Sequence, residues 1–348
     1  MRNKLILGIL LYFLLTIIGC EKNPSEKEIL PKQLTSTNLD SKAYFSPDGK
    51  YIVFYTQRNT YIPNVAESPS ELWIMNRDGS NQKPLISVDE IYEITSVSII
   101  TWLPDSKNIL VHIHDYPSYS DYESEIWQID IYGHKTKLYS PGLRLERPTY
   151  SPDLTKTAFI IQGPNPPEGS PIYRLYAANS NFWDTILIEK GIINDYKWKN
   201  DSKGFIYSLY DRTNENYDLW ESSVNGATKL RISETSENEE NLSCSFDGKY
   251  IAYSDYKAVY ITPTDKFTPI LIMDNARLPK WIPNRSLILL YSNQSLGNKS
   301  WTESWIVDIH GNIVLKIAEG KFSQVTFSSS GDYFLYTLEG NIWLDYLP

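Results

Sequence analysis

Apolar and polar positions alternate in short stretches along this chain, and each stretch runs into a turn-forming cluster and then a more continuously apolar segment. "YFSPDGKYIVFY" at 44–55 is the clearest case, and "TWLPDSKNILVH", "TYSPDLTKTAFI", "SCSFDGKYIAYS" and "TFSSSGDYFLYT" repeat its form. Aligned on the last residue before the turn, the anchors are Phe45, Trp102, Tyr150, Trp198, Cys244, Trp281 and Phe327. The spacing averages about 47 residues, in the range of one four-stranded propeller blade. Two residues before each anchor stand Ala43, Ile100, Pro148, Tyr196, Leu242, Pro279 and Val325, all carrying apolar groups. One residue before it stand Tyr44, Thr101, Thr149, Lys197, Ser243, Lys280 and Thr326, all with a polar group. A period of two is the mark of a strand with one buried side. The turn chemistry agrees, since Pro47 presets a turn dihedral, Asp48 can bond its own backbone and Gly49 tolerates positive φ.

Each unit continues with a third strand bearing an aromatic, such as "ELWIM", "EIWQI", "DLWES" and "NIWLD". A fourth strand such as "KPLIS" or "TKLYS" closes the first six units, and the seventh has none after "NIWLD". The fourth-strand pattern recurs instead before the first unit, in "PKQLTS" at 31–36. The expectation is an all-β, seven-bladed β-propeller of four-stranded antiparallel blades over residues 31–348, with its N-terminal strand completing the last blade. Ring closure of this kind leaves only short outer edges. Six or eight blades are the alternatives, because the fifth unit is short.

The phrase "FSPDGKYIVF…ELWIMNRDGSNQKPLI" at 45–86 resembles the repeat of TolB-type propellers, which is also found in the propeller domains of prolyl-oligopeptidase relatives. The similarity covers residues 31–348 and is strongest in the first unit. It implies the propeller fold and, through TolB, a periplasmic role in protein interaction without catalysis. The hydrolase-gating role of the other relatives is not expected, since the sequence has no G-x-S-x-G elbow. An extra N-terminal α/β domain of the TolB kind is not evident.

The N-terminus reads as an address. Arg2 and Lys4 precede the apolar run "LILGILLYFLLTII", and "IIGC" at 17–20 resembles a bacterial lipobox. Residues 1–19 are expected to be a lipoprotein signal peptide, Cys20 the lipidated residue, and 20–30 a polar tether. The apolar run is too short to span a bilayer comfortably, so anchoring would fall to acyl chains on Cys20. Glu21 after that cysteine favours the outer membrane over the inner one. Cys244 is then the only remaining thiol, so no internal disulfide is available. A net charge of -9 argues against a nucleic-acid partner. The membrane and an envelope protein are the expected partners, with an anionic glycan as the alternative.

Candidate chemistry is sparse. His112 and His114 fall on one side of a strand with Asp115 next to them, but the corresponding first-blade residues are Tyr55 and Gln57, so neither a metal nor any other cofactor is expected. Counting back by one and by three from each anchor places Lys42, Tyr44, Arg147, Lys197 and Lys280 towards the central channel, with Asp195 as the only acid. A basic channel in an acidic protein would focus an anionic ligand. The long second-to-third-strand loops carry Tyr61, Tyr116, Tyr119, Tyr122 and Trp301, side chains suited to a protein contact surface. The leading expectation is therefore a lipid-anchored, exported binding or scaffolding module without catalysis. The alternative is a binder, lyase or hydrolase of an anionic polysaccharide that uses the channel lysines and arginine.

Overall fold

The structure is a computed structural model that describes residues 31–63, 69–91, 96–115, 123–139, 145–162, 172–296, 299–317 and 322–348. The signal segment, Cys20 and the tether lie outside the described residues. So do Tyr116, Tyr119, Tyr122 and the side chain of Trp301.

Seven four-stranded antiparallel sheets follow one another, the first six each running from an inner to an outer strand in chain order. Their inner strands are Asp40–Phe45, Ser96–Trp102, Leu145–Tyr150, Ile193–Trp198, Glu240–Cys244, Ala276–Trp281 and Phe322–Phe327. All seven anchors end an inner strand, and the count is seven rather than six or eight. The seventh blade takes its outermost strand from Lys32–Gln33, which pairs with Asn341–Tyr346, so the chain's own N-terminal strand closes the ring. Lys32 pairs with Leu344 and Gln33 with Trp343, so the chain joins blade 7 from the face that carries the first-to-second-strand turns. This is called the turn face below, and the opposite side the loop face. Among the described residues the only helix is the single turn Val88–Ile91, and no helix is long and apolar enough to cross a membrane.

The repeated phrase earns its form at the turn. Ser46 Oγ donates to Asp48 Oδ1 at 2.8 Å and accepts the Tyr51 amide at 3.0 Å, while Asp48 also accepts the Lys50 amide. Blades 3 and 5 repeat this with Ser151 and Asp153 and with Ser245 and Asp247. Neighbouring turns are joined around the ring: Ser106 Oγ accepts the Asp48 amide, Ser202 Oγ accepts the Asp153 amide, and Ser329 Oγ donates to the Pro47 carbonyl across the closure.

Between blades the apolar faces interdigitate. Val53, Leu72 and Ile74 of blade 1 pack with Trp102, Ile109 and Val111 of blade 2, all buried. Leu289 and Ile306 of blade 6 meet Val325 and Phe334 of blade 7 in the same way. The core is thus a ring of inter-blade seams, and stability comes mainly from that apolar burial.

Two features depart from the simple pattern. The register of every inner strand slips by one residue against its neighbour just before the anchor. In four blades the slip coincides with a non-glycine residue at positive φ: Lys42, Arg147, Asn241 and Leu278. These are β-bulges, which bend a strand and re-aim its side chains. The long loop expected to carry Trp301, at 292–303, is instead mostly strand, because Leu287–Leu296 and Lys299–Asp308 form one long hairpin whose pairing continues out to Leu296 and Lys299.

Candidate functional site

Of the polar residues one position before the anchors, Tyr44, Thr101, Lys280 and Thr326 meet near the turn-face end of the inner strands. A cavity of about 320 Å³ opens there, lined by Tyr44, Thr101, Trp102, Lys280, Thr326 and Phe327 together with Pro47 and Pro283 of the turns. Lys280 is accessible from the channel, yet the surrounding strands crowd it. That desolvation, together with the charge of Lys197, holds its ammonium below the usual lysine value. No hydrogen bond or ion pair ties Lys280 to another described residue.

The other basic candidates occupy different settings. Lys197 donates to both oxygens of Asp195 at 2.8 Å, so its charge is matched within the channel. Asp195 also accepts the Leu242 amide at 3.1 Å. Arg147, on its bulge, is exposed and donates to the Asn194 carbonyl. Lys42, also on a bulge, is exposed and does not line the cavity. Tyr44 does line it, exchanging hydrogen bonds with Gln324, and burial pushes its phenol up. The structure thus brings Tyr44 and Lys280 to one cavity and Lys197 within electrostatic reach of Lys280, and leaves Lys42 and Arg147 outside that cavity.

The loop face has a different character. Tyr61 is 53% exposed beside Ile62. A further group of tyrosines stands on blades 3, 4 and 5: Tyr173, Tyr210, Tyr217 and Tyr256, gathered near Glu240. The Tyr210 and Tyr217 rings meet edge to face at 5.2 Å, and Tyr256 is 80% exposed. Burial raises the Glu240 carboxyl above its ordinary value, and Glu240 in turn raises the phenol of Tyr256. Sequence reasoning missed this group, since its members are separated by up to 83 positions in the chain (256 minus 173). The available signal was the recurrence of tyrosine where second and third strands meet the loop face. The acidic segment "SETSENEEN" at 233–241 is folded back onto blade 4. Asn216 donates to the Thr235 and Glu237 carbonyls, and Glu239 is buried and accepts from Ser233 and Thr235.

The described residues contain no cluster of three or more histidine, cysteine or acidic side chains able to hold a metal ion. His112 is buried in its strand, and His134 is an exposed turn residue bound to Asp130. Cys244, pushed up to about 11 chiefly by burial, is not an activated thiol.

No family model and no curated protein matches this chain. Solved structures do resemble it. Oligogalacturonate lyase from Vibrio parahaemolyticus aligns with a TM-score of 0.67 at 14% identity, over 91% of this chain and 93% of that one. A putative TolB from Agrobacterium tumefaciens gives 0.50 at 14% identity, over 77% and 94%. TolB from Acinetobacter baumannii gives 0.48 at 17% identity over 79% of this chain, which spans 62% of that protein's length. At these identities the likeness is one of fold, a β-propeller of four-stranded blades.

Proposed function

We propose that this protein is an exported, lipid-tethered β-propeller of the cell envelope that binds a protein partner through its loop face and performs no catalysis. The observation that carries this reading is the convergence of Tyr173, Tyr210, Tyr217 and Tyr256 from three blades around Glu240, with Tyr256 largely exposed. Tyrosines offer large, amphipathic contact area and dominate many interface hot spots. The lipobox-like "IIGC" supports the tether.

The tether and the partner are tested separately. In cells fed an alkyne-bearing fatty acid, the wild type should incorporate the label and fractionate with membranes, whereas Cys20→Ala should do neither. Affinity purification of the wild type after in-cell crosslinking should return one specific envelope protein, depleted at least tenfold in a Tyr217→Ser/Tyr256→Ser variant that folds normally. Equal recovery by the variant would remove the tyrosine face from the reading.

A second reading, an anionic polysaccharide in the channel, is favoured by the unpaired Lys280. The ion pair of Lys197 with Asp195 lessens the charge available for a polyanion. Affinity for uronate polymers, lost on changing Lys42, Arg147, Lys197 and Lys280 to alanine, would support it over the first.

A further inference from the structure

The turn-face cavity combines features that seldom coincide by chance. Its walls are largely apolar and aromatic, from Ile99, Trp102, Phe327, Pro47 and Pro283, and its polar groups come from Tyr44, Thr101, Thr326 and Lys280. Thr101 Oγ1 donates to the Trp102 carbonyl and Thr326 Oγ1 to the Ala43 carbonyl, which leaves both oxygens free to accept and their hydrogens already used. The Lys280 ammonium and the Trp102 indole N–H are therefore the cavity's donors without a partner among the described residues. Lys280 is accessible from the open channel, but the strands around it partly desolvate its ammonium, and with no counter-charge beside it that ammonium gains from an anion that joins it. Among the described residues no acid acts on Lys280: Asp195, the one channel acid among the candidates, is held by Lys197 and the Leu242 amide.

We infer that this cavity is a binding site for a single carboxylate carried on an apolar body, with the Lys280 ammonium as the charge partner and the Trp102, Ile99 and Phe327 walls enclosing the remainder. A volume of about 320 Å³ sits at the small end of ligand pockets and suits an acid of modest size. A polyanion is the poorer fit, because one lysine is unmatched and the lining beside it is apolar. The inference does not rest on a protein partner at the loop face, so the two fail independently. The carboxylate has two sources, a free small acid or the C-terminus of a peptide, and both present the same group to Lys280.

The test is calorimetric titration of the folded propeller with phenylacetate, with an acetylated tripeptide ending in phenylalanine, with the amide of that peptide, and with trigalacturonate. Phenylacetate or the peptide acid should bind, and the amide should bind at least tenfold more weakly, the usual effect of losing one charge-assisted hydrogen bond. Lys280→Met should lose at least tenfold for the acid and nothing for the amide, while Lys280→Arg, which keeps the charge, should retain most of the affinity. The Arg variant keeps the test valid if the Met variant does not fold. Tighter binding of the peptide acid than of phenylacetate would assign the site to a chain end, and the reverse order to a free acid. The inference is overturned if neither acid binds at 10 mM (roughly the weakest affinity a single charge-assisted contact would give). It is likewise overturned if Lys280→Met binds the acid unchanged, or if trigalacturonate binds more tightly than both acids.

Discussion

Glu239 shows how far a side chain can be taken from its solution behaviour by its neighbours. It is 1% exposed, bonded to the hydroxyls of Ser233 and Thr235, and faces Asp218, while Arg231 offsets part of the negative charge. Burial dominates, and its carboxyl is pushed up to about 7. A carboxyl whose folded value lies above its unfolded value of about 4.3 favours folding below that pH and loses the contribution as pH rises through about 7. The melting temperature should therefore fall between about pH 4.5 and pH 7, and Glu239→Gln should flatten that fall. Parallel pH profiles for the two proteins would show that the carboxyl stays ionised in the fold. The turn aspartates Asp48, Asp153 and Asp247 act with the opposite sign. Their hydroxyl and amide partners hold them below the ordinary carboxylate range, so their contribution is present above about pH 4 and lost in acid. The serine and aspartate of each turn were legible in the sequence because their bonds are local. Glu239 was not, since "SETSENEEN" reads as exposed charge until the loop is seen folded against Asn216 and Tyr217.

Strands and their seams follow from patterns that the chain repeats. The third-strand aromatic has a consistent companion two residues earlier: Glu71 with Trp73, Glu125 with Trp127, Asp218 with Trp220, and Glu303 with Trp305. The Trp73 and Trp127 indoles donate to those carboxylates at 3.0 and 2.7 Å. Lys137 and Lys316 lie over the Trp127 and Trp305 rings at 5.4 and 5.1 Å while pairing with Glu125 and Glu303. Each set joins a third strand to its fourth, which explains the aromatic without a ligand. The closing strand was legible as well, from its displaced fourth-strand pattern. The inner-strand bulges were not, because Lys42, Arg147, Asn241 and Leu278 share no chemistry and the slip belongs to the backbone. The closure is tightest where blade 7 meets the incoming chain: Gly340 has φ +72°, and a Cβ there would stand 2.2 Å from the Asn38 carbonyl oxygen. Gly340→Ala should cost about 2 kcal/mol or more in urea denaturation, through backbone strain and loss of the Asp40 amide bond to Gly340. An unchanged midpoint would mean that the N-terminal strand contributes little to holding the ring shut.

A closed ring of seven blades presents two unlike faces. The turn face receives the chain at Lys32 and holds the Lys280 cavity, while the loop face gathers tyrosines from three blades around Glu240. The fold was readable because each blade repeats the same local signals. The loop-face group was beyond reach because no single blade contains it, and many unrelated functions share this architecture. The most direct test of a tethered binding propeller is site-specific photocrosslinking in intact cells, with the reactive residue placed at Tyr256 on the loop face and, for comparison, at Lys50 on the turn face. The account predicts one discrete protein adduct from position 256, lost when Tyr217 is changed to serine, and none of that mass from position 50. Diffuse or absent adducts from position 256, or the same adduct from both faces, would contradict it.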